Sequence, residues 1–191
     1  MSYIYLIMNK YNVFRISKED EITFLKNNYN HTYGALTRSG VHQLLHHIPK
    51  LSTHGTFYDM GCGNGELILH MINSNKFKKY VGIELSQERI DDFVRKTKQM
   101  KKCQASIQPL CKDVLQHHYN DASVIYISNL CFPDHLNRSI GKLLDKQLEE
   151  GKNIIVFSSK NIYLTIGHKK KIVHVKQSWS DKSELIVHYI D

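Results

Sequence analysis

From residue 55 onward, short apolar runs alternate with stretches whose apolar residues recur every three or four positions. These are the periods of buried strands and of helices packed on one face. "TFYDM", "YVGIEL", "SVIYIS" and "NIIVFSS" predict strands, and "ELILHMINSN", "SQERIDDFVRKTKQM" and "HLNRSIGKLLDKQL" predict the helices between them. "IQPLCKDVL" reads as one more strand and its exit loop. The closing "KKIVHVKQSWSDKSELIVHYI" carries two alternating strands about a polar turn, a hairpin pattern. Strand–helix alternation followed by a hairpin predicts an α/β fold, a mostly parallel sheet with an antiparallel C-terminal edge.

Ahead of this core, "YIYLIM" reads as a strand, and Ser17 followed by "KEDE" as a helix start running to about Asn28. "YNHTYGAL" is a loop, and "SGVHQLLHHIPK" a second helix closed by Pro49. We expect a single domain over 1–191, with residues 1–50 forming a helical cap on the substrate side and 51–191 the catalytic core. "YIYLIM" is too short for a signal-peptide core or a membrane span, so neither secretion nor a membrane partner is expected.

Composition narrows the class. A chain of 191 residues, 41% apolar and with 3 prolines, suits one globular core. Cys62, Cys103, Cys111 and Cys131 show no CxxC spacing, which points to reduced thiols and no metal site. His42 and His46 sit four apart but lack a third ligand, so they read as a surface helix face. The formal charge of +8 is concentrated. Arg95, Lys96, Lys98, Lys101, Lys102 and Lys112 follow one another with no intervening acid, and Lys169, Lys170 and Lys171 form a second block. Lys96, Lys98, Lys101, Lys102 and Lys169–Lys171 are therefore candidates for contacting nucleic acid; a merely solvated face is the competing reading.

The chemistry concentrates at the strand ends, where α/β sheets bind ligands. "DMGCGNGE" places Gly61, Gly63 and Gly65 in a tight turn, but Glu66 stands where a dinucleotide fingerprint needs glycine. A pyrophosphate would meet that carboxylate unfavourably, whereas a cofactor carrying an amine and a sulfonium would not. The D-x-G-x-G-x-G spacing resembles that of S-adenosylmethionine enzymes, with Asp59 near the methionyl end and Glu66 at the helix start. Glu84 closes the next strand and can accept both ribose hydroxyls. After the third strand, Asp113 can bond an adenine amino group while Val114 packs on the ring. The fourth strand ends in Asn129-Leu130-Cys131-Phe132, similar to the Asn-Leu-Pro-aromatic ending of adenine amino-group methyltransferases except for the missing proline.

The segment "SVIYISNLCF" more closely resembles the V-I-F-V-N-N-F-A-F pattern of the disruptor-of-telomeric-silencing class of histone lysine methyltransferases, which are not of the SET fold. "TYGAL" is similar to that family's V-Y-G-E-T, "FYDMGCGNGE" to D-L-G-S-G-V-G-Q, "YVGIEL" to Y-G-V-E, and "KDVL" to G-D-F-L. "NIIVFSSK" and "SWSDKSELIVHYID" are similar to R-I-V-S-S-K and the closing S-W-T-G-K-P-V-S-Y-Y-L-H-T-I-D, so the likeness runs over roughly residues 29–191. Ala35, Glu66 and Leu130 depart from the family's glutamate, glutamine and aromatic, and the segment between Lys160 and Trp179 holds no arginine.

The resemblance implies a class I methyltransferase fold of Rossmann-like type and S-adenosyl-L-methionine as cofactor. Tyr33, Asp59, Gly61, Gly63, Glu84, Asp113 and Asn129 would hold that cofactor, and Asn129 would face the donor. Phe132 and Trp179 would line a channel for the target lysine. It further implies histone H3 in nucleosomes as substrate, contact with nucleosomal DNA, and action in a nucleus as a chromatin regulator. A monomeric, minimal form, such as large DNA viruses carry, would suit the length. A nucleic-acid methyltransferase, and a cofactor-binding polyanion module without turnover, are the alternatives.

Overall fold

β1 (Thr56–Met60) is buried along its whole length, as a strand covered on both faces must be. It pairs in parallel with β2 (Lys79–Glu84) on one side and β4 (Ala122–Ile127) on the other. β3 (Ser106–Cys111) extends the sheet beyond β2, and β5 (Ile154–Ser158) beyond β4, all in parallel. The hairpin strands β6 (Lys169–Gln177) and β7 (Ser180–Ile190) complete a seven-stranded sheet of order β3-β2-β1-β4-β5-β7-β6, with β7 antiparallel to β5. The structure, a computed structural model, describes residues 16–31, 34–49, 55–100, 104–148 and 153–190. "YIYLIM" lies outside them, as do Tyr33, Lys101, Lys102 and Cys103.

Period-2 alternation divides the strands between two cores. Phe57 joins the side covered by α2 (Arg38–His46), α3 (Glu66–Met71) and α4 (Gln87–Gln99). Tyr58 and Met60 join the side covered by α5 (Asp134–Gln147). Both edges carry residues a central strand would reject: Pro109 on β3 and three lysines at the start of β6. Among the described residues, no helix is long and apolar enough to cross a membrane.

The helix predicted over residues 66–75 breaks early. After Met71 it tightens into a 3-10 turn, Ile72–Ser74, and Asn75 stops it in the left-handed conformation at φ +51°. α1 (Lys18–Lys26) starts as expected, with the Ser17 hydroxyl accepting the Asp20 amide at 3.1 Å. α2 is fastened to β6 because the amide and hydroxyl of its cap, Thr37, both donate to the Lys176 carbonyl at 3.2 and 3.1 Å. A β-carbon on Gly40 would lie 1.9 Å from that same carbonyl, so only glycine permits this approach. The segment 34–37 is thereby held beside the hairpin turn.

His188 of β7 is fully buried, with Nε2 3.3 Å from the Ser158 hydroxyl and no partner at Nδ1. Burial, then the neighbouring His168 and Lys170, push its pKa down to about 3. A depressed histidine pKa means the folded state resists protonation, so this group withdraws stability as pH falls below the ordinary 6.5. Each pH unit below that point costs about 1.4 kcal/mol from one such group. Thermal melts between pH 6.5 and 5 should therefore show a smaller acid loss in His188→Gln than in the wild type.

Candidate functional site

Three glycines in five residues, Gly61, Gly63 and Gly65, take φ of +77°, +54° and +79°. Ordinary side chains avoid that region, so the turn after β1 needs this composition. The Gly61 and Cys62 amides donate to the Ile83 carbonyl at 2.8 and 3.0 Å, laying the turn across the end of β2. There Glu84, nearly buried, accepts the Gly63 amide at 3.0 Å and the Leu85 and Ser86 amides at 2.8 and 3.1 Å. Arg89 of α4 lies 3.6 Å from the same carboxylate.

Gly61, Glu84, Asp113, Val114 and Ser128, from four successive strand ends, open onto one cavity of about 50 Å³. Asp113 caps the turn Val114–Gln116 by accepting the Leu115 amide at 2.9 Å. The opposite wall comes from α1 and its exit: Phe24, Tyr29 and Asn30. The Tyr29 hydroxyl reaches Asp113 at 3.4 Å, and the Phe132 ring lies over Gly61, 3.2 Å from where a β-carbon would stand. A space of 50 Å³ suits a few waters. The glycine floor and the two acids on adjacent strand ends do fit a cofactor with a ribose and an amine.

α1 is latched over this cavity by groups distant in sequence. Asp20 accepts the Ser86 hydroxyl at 2.5 Å and the Gln87 and Glu88 amides at 3.1 and 3.2 Å, so an α1 side chain caps α4. Arg89 donates to the His31 carbonyl at 2.7 Å and lies 5.9 Å from the Phe24 ring centre.

The sequence pattern of the family described as "Histone methylation protein DOT1" matches residues 11–184. The chain belongs to the DOT1 family. It is a methyltransferase by that membership, and no curated protein matches it. Its fold is that of class I S-adenosylmethionine-dependent methyltransferases, as three solved structures illustrate. The N-methyltransferase NodS from Bradyrhizobium japonicum WM9 is 16% identical over 80% of this chain and 94% of its own, at a TM-score of 0.59. The B. subtilis M1A22 tRNA methyltransferase TrmK is 13% identical over 82% of this chain and 66% of its own, at 0.62. The magnesium protoporphyrin IX methyltransferase ChlM from Synechocystis PCC 6803, solved with bound SAM, is 11% identical over 81% and 79%, at 0.59.

Within this DOT1-family chain the candidate residues separate. Gly61, Glu84, Asp113, Val114 and Phe132 meet at the cavity, with Asp59 and Gly63 just behind it. Trp179 is half-buried in the hairpin turn with its ring on Gly34, a cavity residue; a β-carbon there would sit 1.9 Å from Cζ3. The Glu66 carboxylate ties α3 to α4 by pairing with Lys96 and lies outside the cavity lining. Lys96 pairs with Glu66 and, at 3.1 Å, with Asp92. Lys98 is exposed on α4. The block 169–171 is no single patch: Lys169 and Lys171 share the face of Val173, while Lys170 pairs with His188 on the α5 side. His42 and His46 are exposed, and among the described residues no three His, Cys, Asp or Glu gather to hold a metal.

Asn129 is held by the chain on every side. Its amide oxygen accepts the Ser159 and Lys160 amides at 2.8 and 2.9 Å, and its nitrogen donates to Asn137 and the Lys160 carbonyl at 2.8 and 3.1 Å. Both lone pairs and both hydrogens are taken, so the side chain clamps two loops. Ser128, which sequence reasoning passed over, presents the polar group at that strand end. Each buried amide left unpaired costs about 1–3 kcal/mol. Asn129→Ala should therefore lose about 2–4 kcal/mol in urea unfolding.

Asp59 is almost fully buried, and burial followed by the Glu84 charge raises its pKa from 3.8 to about 8. A raised carboxylate pKa means the folded state holds the extra proton, so its stabilising contribution is complete below about pH 4 and disappears as pH climbs through 8. Between pH 6.5 and 8.5 the wild-type melting temperature should fall, and Asp59→Asn should flatten that slope.

Proposed function

We propose that the chain transfers a methyl group from S-adenosylmethionine to a lysine of the histone H3 core in nucleosomes. The DOT1-family match across residues 11–184 carries this reading. The cavity at the carboxyl edge supports it independently.

The donor supplies an electrophilic methyl group on a sulfonium. Gly61 and Gly63 form the floor beneath its methionyl part. Glu84, whose oxygens still have accepting capacity beyond three amides, receives the ribose hydroxyls. Asp113 and Val114 hold the adenine, with Tyr29 releasing Asp113 as it turns out. Tyr33, outside the described residues, joins them by family resemblance. Asp59 offsets the amino-acid end, since a nearby cation returns its carboxyl to the ionised form. Asn129 is a positioning residue that sets Ser128 and Phe132.

The acceptor lysine approaches along Phe132 and Trp179. Making it neutral near pH 7.4 from a reference pKa near 10.4 costs about 4 kcal/mol. The apolar surroundings of Phe24, Phe132 and Leu136 lower that cost by desolvating the ammonium, as does the adjacent sulfonium. The acids lining the cavity, Glu84 and Asp113, are both engaged by backbone amides, and the reading assigns neither as a base. Alignment of the reactants contributes on the order of 7–11 kcal/mol. The work takes place in nuclear chromatin, with a monomer sufficient for the cavity.

A second reading, methyl transfer to a nucleic-acid amino group, is favoured by the Asn129-Leu130-Cys131-Phe132 ending and by the similarity to a tRNA methyltransferase. Nucleosomes and RNA offered together with methyl-labelled donor separate the two. Label is expected on H3, and label in RNA with none on histone would sink the first reading.

A further inference from the structure

The outer face of α5 carries a second concavity, an open groove of about 530 Å³ lined by Arg138, Lys142, Asp145, Lys146, Tyr163 and Thr165. It shares no lining residue with the cofactor cavity. The three cations recur every four residues, so they stand in a row on one helix face at steps of about 6 Å. Asp145 offsets only one of those three charges, and its carboxylate is turned to the Thr165 amide and hydroxyl and the Ile166 amide, at 2.7–3.0 Å.

The aromatic wall is built, not incidental. Gly141 lets residue 162 approach so closely that a β-carbon would lie 1.9 Å from the Ile162 carbonyl oxygen. With that contact and the Asp145 clamp, the loop is drawn against α5 at two points. Tyr163 between them takes φ +57°, a strained value for a residue with a side chain. The result is a ring that remains 38% exposed while the Arg138 guanidinium sits 4.1 Å from its centre. Nothing in the cofactor cavity requires this arrangement.

We propose that the groove binds single-stranded nucleic acid, with Arg138, Lys142 and Lys146 tracking successive phosphates and Tyr163 stacking a base. A row of cations beside an exposed ring is how sequence-tolerant single-strand sites are made. An acidic peptide would use the cations but has no need of an aromatic ring held in a strained backbone. The groove joins the acceptor side of the cavity through Asn129, which grips Ser159 and Lys160 at the root of the same loop.

Fluorescence anisotropy with labelled oligouridylate and the full chain tests the assignment. The triple variant Arg138→Glu/Lys142→Glu/Lys146→Glu should bind at least thirtyfold more weakly, with the salt slope reduced by about 2, as three lost phosphate contacts on a single strand require. Tyr163→Leu should lose about tenfold at an unchanged salt slope. All four positions are on the surface, so melting temperature should hold in both. Lys98→Glu on the opposite helix layer should have a small effect. Unchanged binding in the triple variant, or an equal loss in Lys98→Glu, would overturn the proposal. Competition by polyglutamate with no effect of Tyr163→Leu would overturn it in favour of an acidic-peptide site. Cofactor binding and histone methylation read the other cavity, so they stand or fall separately.

Discussion

The carboxylate of Glu84 is the contact on which the site depends. A buried carboxylate is costly unless its oxygens are satisfied. Here Gly63, Leu85 and Ser86 satisfy them through backbone amides, with Arg89 supplying the opposite charge. That one group fixes the glycine turn of β1 against the end of β2. Through Arg89 it also reaches Phe24 and the His31 carbonyl, and so the wall made by α1. Asp59 feels the same negative charge, which helps keep its own carboxyl protonated.

A second clamp does at the end of β4 what Glu84 does at the end of β2. Asn129 binds the start of α5 through Asn137 and the loop after β5 through residues 159 and 160. Phe132, on the turn between, is thereby placed over Gly61. Two polar side chains at two strand ends thus hold the apolar residues Phe24 and Phe132 about one cavity. The clamps also divide the surface, because the loop held by Asn129 continues into the basic groove on α5.

Much of this was legible without coordinates, for a local reason. Strand and helix periods, the Ser17 cap and the three glycines each depend on neighbours within a few residues. The acids Glu84 and Asp113 could be found because each directly follows a readable strand. The pairing of Glu66 with Lys96 was not legible, because each looks free in its own segment, yet they lie 30 residues apart and face each other between two helices. Asp20 read as an ordinary first-turn acid; its task is to cap a helix 66 residues away.

By itself, then, the sequence determined the α/β architecture, the glycine turn and the family, because backbone conformational limits and apolar periodicity are written residue by residue. Tertiary structure alone decided which polar groups remain available. A carboxylate or amide carries only a few hydrogen-bonding sites, and packing assigned those of Asn129, Glu66 and Asp145 to the chain's own backbone and side chains before any ligand could use them. The same packing left Ser128 at the cavity and Arg138, Lys142 and Lys146 in a row, a placement no linear pattern shows.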